Sequence, residues 1–170
     1  GGNALSLSGS EATLTDTTGT GNLGSGLMAS TSTVDITNAT FADNGTKGAT
    51  AASGSGLETY DSTVTASGLT LTGNEAHGGF IYGTTLSADG EVSGNALDGL
   101  FVQTSTLDLA DLVVSSNGRD GLSMTGSTLS LSTTSSTDNG GYGLVYEGAN
   151  DLDGDGYSVD AGDCDDTDPT

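Results

Sequence analysis

The segment NGRDGLSMTGSTLSLS, residues 117–132, contains the three features that decide the fold. Asn117 opens a turn-rich stretch, Gly121 is followed by a large apolar residue, and residues 127–129 read Ser-Thr-Leu. Gly and Asn favour turns, because both tolerate backbone conformations with a positive φ angle. After each turn, apolar residues alternate with small polar ones, which is the pattern of a half-buried β-strand.

All three features recur along the chain in one register. The asparagine recurs at intervals of 22, 30, 21, 22 and 22 residues, at Asn22, Asn44, Asn74, Asn95, Asn117 and Asn139. The glycine follows four residues later in most copies, but five later after Asn74, at Gly79, and twelve later after Asn44, at Gly56. The longest gap predicts an inserted loop at about residues 46–53. Three markers that keep one spacing indicate a repeat protein.

Each repeat contains three short alternating segments, and no window shows the 3.6-residue spacing of a helix. In the segment after the glycine, the alignment places Leu27, Phe80 and Leu100 inward. The residues that follow these should then point outward as an exposed apolar row, which predicts a packing surface. The members of this predicted interface are Met28, Ile81, Phe101 and Val145.

Three short strands per repeat, joined by Gly and Asn turns, resemble the right-handed parallel β-helices of the pectate-lyase-like superfold over residues 1–149. The resemblance implies an all-β, right-handed parallel β-helix, a solenoid of about six to seven coils. Stacking the coils buries an apolar column that one coil cannot bury alone. The recurring asparagines are expected to form a structural ladder, each passing a side-chain amide hydrogen bond to the next coil.

The charge of the chain excludes several classes of partner. Asp and Glu number 23 against two Lys and Arg, which gives a net charge of −21. Nucleic acid needs clustered basic residues, and anionic membranes and acidic polysaccharides are repelled. No membrane insertion is expected, and cations are the favoured ligands.

The sequence offers little support for catalysis. The resemblance to the pectate-lyase-like superfold implies that a lyase would need basic residues close together to neutralise a uronate. Lys47 and Arg119 lie in different repeats. His77 is the only histidine, and we expect it to be a solvated turn residue. The chain has no Trp on which a sugar could stack. We therefore expect no catalytic residues.

The last twenty residues differ from the repeats. Residues 151–156 read DLDGDG, in which alternate carboxylates and a glycine match the start of a calcium-binding loop. The twelfth position holds Gly162 instead of a bidentate acid, so an EF-hand is not expected. The stretch resembles thrombospondin type 3-like calcium repeats and the bacterial MopE-type metal-binding motif.

This resemblance implies a separate Asp-rich calcium-binding motif over residues 150–170. The implied ligands are Asp151, Asp153, Asp155, the carbonyl of Tyr157, and Asp163, with Asp165, Asp166 and Asp168 sharing them or forming a second site. Oxygen ligands of this kind suit Ca²⁺. Copper would prefer His, Met or thiolate, and only Cys164 is near, so copper is not expected.

These features predict a non-catalytic structural or adhesive β-solenoid that is secreted or displayed on a bacterial cell surface. Calcium would stabilise or link it, and copies could assemble end to end into filaments. Cys164 has no partner in the chain, so we expect the protein to continue beyond these residues. The alternative is a carbohydrate-binding or polysaccharide-cleaving domain of the pectate-lyase-like type, with surface glycans as partners.

Overall fold

The computed structural model describes residues 2–46 and 53–147, and these residues form β-strands and turns without a helix. The part of the inserted loop at 47–52 and the Asp-rich motif lie outside the described residues. The strands are β1 (Leu5–Ser8), β2 (Glu11–Thr15), β3 (Thr18–Thr20), β4 (Leu27–Ser30), β5 (Thr33–Thr37), β6 (Thr40–Ala42), β7 (Leu57–Tyr60), β8 (Thr63–Thr72), β9 (Gly79–Tyr82), β10 (Thr85–Ser93), β11 (Leu100–Gln103), β12 (Thr106–Ser115), β13 (Leu122–Thr125), β14 (Thr128–Ser132), β15 (Ser135–Thr137) and β16 (Leu144–Glu147).

The strands form a parallel β-solenoid of about six turns, which confirms the predicted fold class. Seven strands pair in the order β1-β4-β7-β9-β11-β13-β16 and form sheet A. Nine strands form sheet B, whose main path is β14-β12-β10-β8-β5-β2. We call one pass through both sheets a coil: β1–β3 form coil 1, β4–β6 coil 2, β7–β8 coil 3, β9–β10 coil 4, β11–β12 coil 5 and β13–β15 coil 6.

The core is a column of aliphatic side chains that point inward from both sheets. Phe41 is its largest fully buried member, and Leu27, Leu57, Leu71, Leu100 and Leu109 are each at most 2% exposed. The alternation of polar and apolar residues in the sequence matches the alternation of exposed and buried side chains. β10 and β12, for example, begin exposed–buried–exposed–buried. Because every inward residue stacks on its counterpart in the neighbouring coils, many small side chains together bury one continuous apolar surface.

The asparagines lie one above another at a corner between the two sheets. Each Nδ2 donates to the Oδ1 of the asparagine in the next coil at 2.9–3.1 Å, from Asn22 through to Asn139. A second ladder lies at another corner, where a backbone N–H donates at 3.0–3.3 Å to the Ser or Thr hydroxyl at the same position of the next coil. The donors are Ser10, Ser32, Ser62, Thr84 and Ser105. The two recurring polar markers therefore satisfy backbone groups where the chain leaves a strand.

One alignment made from the sequence is wrong, because the glycine equivalent to Gly56 and Gly99 is Gly78 and not Gly79. Gly79 pairs with Leu57 and Leu100 and takes the inward position itself. Ile81 is therefore 0% exposed and does not belong to the predicted outward row. A Cβ atom on Gly78 would lie 2.6 Å from the carbonyl oxygen of Gly99, so this corner requires glycine.

Candidate functional site: an aromatic strip on sheet A

The outer face of sheet A carries two columns of side chains, because parallel pairing aligns residues 21 to 30 positions apart in sequence. The first column contains Ser6, Met28, Glu58, Phe80, Phe101, Ser123 and Val145. The second contains Ser8, Ser30, Tyr60, Tyr82, Gln103, Thr125 and Glu147. Four aromatic residues from coils 3 to 5 meet in the middle of these columns. We call Tyr60, Phe80, Tyr82 and Phe101 the aromatic strip.

The rings of the strip contact one another. Phe80 and Phe101 are stacked, with ring centroids 5.4 Å apart and an interplanar angle of 22°. Tyr60 lies 5.9 Å from Phe80 and 6.3 Å from Tyr82, tilted by 45° to each ring. Tyr82 is 42% exposed, and the other three rings are half-buried. Ring faces carry a negative potential and ring edges a positive one. Phe80 and Phe101 cover part of each other's faces by stacking, so the ring faces that remain uncovered form the platform for polarised C–H groups or cations.

Glu58 lies at the N-terminal side of the strip and is only 7% exposed. Ser25 donates its hydroxyl to Oε2 at 2.6 Å, and Tyr60 donates its hydroxyl to Oε1 at 2.9 Å. Burying a carboxylate is costly unless donors satisfy it, and here one hydroxyl satisfies each oxygen. Glu58 in turn fixes the position of the Tyr60 ring.

The same contact changes the chemistry of Tyr60. Partial burial, the hydrogen bond to Glu58 and the negative charge of Glu58 together raise the pKa of Tyr60 to about 12. All three causes act against the phenolate, since a phenolate would be poorly solvated and would repel the carboxylate. Tyr60 therefore remains a hydrogen-bond donor well into the alkaline range.

His77 and Asp98 form a second buried pair beside the strip. His77 Nδ1 lies 3.1 Å from Asp98 Oδ2, and the two residues are 5% and 3% exposed. The His77 ring centroid lies 5.1 Å from Phe101 and 6.0 Å from Phe80. The prediction that His77 is a solvated turn residue is wrong, because the turn that carries it packs against the outer column of sheet A.

Asp98 also orders the next coil. Its Oδ1 accepts the backbone N–H of Asp120 at 3.1 Å. Burial alone would raise the pKa of Asp98, but the interaction with His77, the N–H of Asp120 and the charges of His77 and Arg119 lower it below its ordinary value. The carboxylate is thus the stable form of a group that joins two coils.

Ser55, His77 and Asp98 occupy one column in coils 3, 4 and 5, since each directly precedes the glycine at the equivalent position of its coil. This order invites comparison with a Ser-His-Asp triad, in which the histidine accepts the serine proton. The Ser55 hydroxyl is buried, however, and has no hydrogen-bond partner among the described residues. The His77 ring is nearer to Phe101 in coil 5 than to Phe80 in its own coil, so it leans away from Ser55.

The structure places the remaining predicted residues as follows. Met28, Phe101 and Val145 lie on the outer face of sheet A and are half-buried, whereas Ile81 is in the core. The eight implied metal ligands between Asp151 and Asp168 lie outside the described residues. Within residues 2–46 and 53–147, no three His, Cys, Asp or Glu side chains are grouped so that they could hold a metal ion.

The sequence reasoning missed Tyr60, Phe80, Tyr82 and Glu58 as site residues. For Phe80 and Tyr82 the cause was the placement of Gly79 in the glycine column, which put both side chains inside the core. A constant gap of four from Asn74 to Gly78 would have aligned Phe80 with Phe101 and Tyr82 with Gln103. That spacing was the available signal.

No helix among the described residues is long and apolar enough to cross a membrane. The chain was compared with protein-family models, with curated proteins and with solved structures, and none of the three comparisons gave a match.

Proposed function

We propose that the chain is a non-catalytic adhesive β-solenoid of the cell surface that binds carbohydrate on the aromatic strip. The observation that carries this proposal is the contact of four aromatic rings from three neighbouring coils on one outer face. A pyranose ring presents polarised C–H groups on its faces, and these pack on the negative faces of aromatic rings. Hydroxyl groups at the sugar edge can bond to polar groups beside the strip, such as the Tyr60 hydroxyl.

The charge of the protein narrows the class of carbohydrate. With a net charge of −21, the protein repels uronates and sulfated glycans. The strip therefore suits neutral or basic sugars. This supports the expected role in adhesion, with a surface glycan as the partner.

The arrangement of ionisable groups favours binding over cleavage. Glu58 and Asp98 belong to coils 3 and 5, so two coil spacings of about 4.8 Å separate their backbones. Coil 4, which carries His77 and Phe80, lies between them. Each carboxylate also accepts hydrogen bonds from the protein itself. The second candidate function, polysaccharide cleavage, is favoured only by the His77–Asp98 pair and predicts release of new reducing ends.

Binding can be tested by calorimetric titration with hexasaccharides of glucose, xylose, N-acetylglucosamine and glucosamine, which include neutral and basic sugars. We expect one of them to bind, and we expect Phe80→Ala and Phe101→Ala each to weaken binding at least tenfold. Val113→Ala is the matched control, because Val113 is 45% exposed on the outer face of sheet B. If Val113→Ala lowers the affinity as much as Phe80→Ala does, or if no sugar binds, the proposal is wrong.

We further propose that residues 151–168 bind Ca²⁺ and that the protein works outside the cell, where calcium is abundant. The support is the D-x-D-x-D-G spacing and the all-oxygen ligand set. Titration with Ca²⁺ should show binding that Asp153→Asn and Asp155→Asn abolish. Asp108→Asn, on the outer face of sheet B, should leave it unchanged. Equal weakening by all three variants would refute a specific site.

The solenoid also offers a route to assembly. Each coil pairs with the next in the same parallel register. Unpaired strand edges can pair with another chain, so we propose that copies stack end to end. Light scattering that shows a strict monomer at every concentration, with and without Ca²⁺, would exclude this.

A further inference from the structure

Glu58 is a buried carboxylate without a positive partner among the described residues. It is 7% exposed, and its two contacts are with neutral hydroxyl groups. The only contact between a basic and an acidic side chain within the described parts of the chain is that of His77 with Asp98. Neutral donors satisfy the hydrogen bonds of this carboxylate but do not neutralise its charge, so the position is electrostatically suited to a cation.

The aromatic strip extends this negative potential across the surface. Phe80 follows Glu58 in the same column, and Tyr60 contacts both the Glu58 carboxylate and the Phe80 ring. A cation near these ring faces is attracted by the ring quadrupoles. The carboxylate and the rings therefore favour the same charge at the same place.

The shape of the strip distinguishes between kinds of cation. A compact ammonium ion is best held by rings that surround it, whereas Phe80 and Phe101 lie nearly parallel, at 22°, on an open face. A sugar ring can lie across the outward parts of these two stacked rings, which together form a broad apolar surface. From the platform and the adjacent carboxylate we infer that the strip selects amino sugars with a free, protonated amino group. The sugar ring packs on Phe80 and Phe101, and the ammonium group lies towards Glu58 and the Tyr60 ring.

This inference rests on the proposed carbohydrate binding and names its substrate class. It also predicts discrimination by acetylation. An N-acetyl group removes the positive charge and adds bulk, so it removes the interaction with Glu58 and leaves the stacking. A glucose oligomer keeps the ring shape and lacks the amine altogether.

The experiment compares the trisaccharides of glucosamine, N-acetylglucosamine and glucose by calorimetric titration at pH 6 and low salt. We expect the glucosamine trimer to bind at least tenfold more tightly than the other two. Glu58→Gln should abolish this preference. Phe80→Leu should weaken binding of all three. Asp108→Asn is the matched control, because it removes one negative charge on the opposite sheet.

The outcomes separate the inference from the proposed function. Equal binding of the three sugars overturns the amino-sugar inference and leaves carbohydrate binding intact, whereas no binding of any sugar overturns both. If Asp108→Asn reduces the preference as much as Glu58→Gln does, the preference comes from overall charge and the inference is wrong. If Phe80→Leu converts a dimer to a monomer without sugar present, a second copy occupies the strip and the inference is also wrong.

Discussion

Replacing one asparagine in the middle of the ladder should destabilise the protein far more than replacing one at its end. Asn95 is 1% exposed, and its side chain makes four hydrogen bonds. Its Nδ2 donates to Leu71 O at 3.0 Å and to Asn117 Oδ1 at 2.9 Å. Its Oδ1 accepts the backbone N–H of Asn74 at 3.0 Å and the Nδ2 of Asn74 at 2.9 Å. Asn95→Ala removes all four.

The magnitude follows from these contacts. A typical internal hydrogen bond contributes about 1 kcal/mol net, so the four bonds together contribute about 4 kcal/mol. The substitution also removes a buried hydrogen-bond partner from the Asn74 N–H and from the Leu71 carbonyl. Because buried polar groups without a partner are costly, the loss of stability should not be smaller than this sum. Asn22 stands at the N-terminal end of the ladder, and among the described residues its side chain donates to Thr20 O and Asn44 Oδ1. Because that end is more exposed, Asn22→Ala should cost about 1 kcal/mol.

Urea unfolding followed by far-ultraviolet circular dichroism measures both costs under the same conditions. The two variants should keep the wild-type m-value, so that the midpoint reports stability alone. We expect Asn95→Ala to lower the free energy of unfolding by at least 2 kcal/mol more than Asn22→Ala. If the two variants differ by less than about 0.5 kcal/mol, the ladder does not stabilise the interior and the reasoning from its contacts is refuted.

Three further predictions concern single side chains. Thr59 has a buried hydroxyl with no hydrogen-bond partner among the described residues, so Thr59→Val should raise the free energy of unfolding by about 1 kcal/mol in the same urea assay; a loss of stability would contradict this. The pKa of Tyr60 is raised to about 12, so its contribution to stability is complete below the ordinary pKa near 10 and is lost as the pH rises towards 12. Absorbance titration should show one late tyrosine that disappears in Tyr60→Phe and ionises earlier in Glu58→Gln. The pKa of Asp98 is lowered, so its contribution is present above the ordinary pKa near 4 and is lost as the pH falls through the folded value. Asp98→Asn should therefore reduce stability at pH 7 and flatten the acid limb of stability against pH, and an unchanged acid limb would count against the contact with His77.

The fold could be predicted from the sequence because the signals for it repeat. An error in one coil is corrected by the others: the misplaced glycine after Asn74 did not disturb the prediction of stacked strands. The aromatic strip occurs once and has no second copy to correct it. Its four rings come from strands β7, β9 and β11, and an error of one residue in the alignment of β9 was enough to place Phe80 and Tyr82 inside the core.

The burial of His77 could not be read from its neighbours in sequence, which are polar or small. Its environment is formed by Asp98 and Phe101, which lie in the next coil, and by Phe80. A turn residue in a solenoid is buried when the turns of adjacent coils carry complementary side chains. The identity of the neighbour 21 residues away therefore matters more than that of the next residue.

The single interval of 21 residues between Asn74 and Asn95 shows how the fold keeps its columns aligned. The missing residue is lost from sheet B, where Ala88 pairs with Ala66 and Gly90 pairs with Leu69, so that only Asp89 stands opposite Ser67 and Gly68. Gly90 adopts a φ angle of 124°, and a Cβ atom there would collide with the carbonyl oxygen of Leu69. This glycine takes up the deletion within β10, so that β9 and β11 stay in register on sheet A and Asn74 stays under Asn95. The stacked rings of Phe80 and Phe101 depend on that register, and a side chain at position 90 should therefore weaken ligand binding on the opposite sheet.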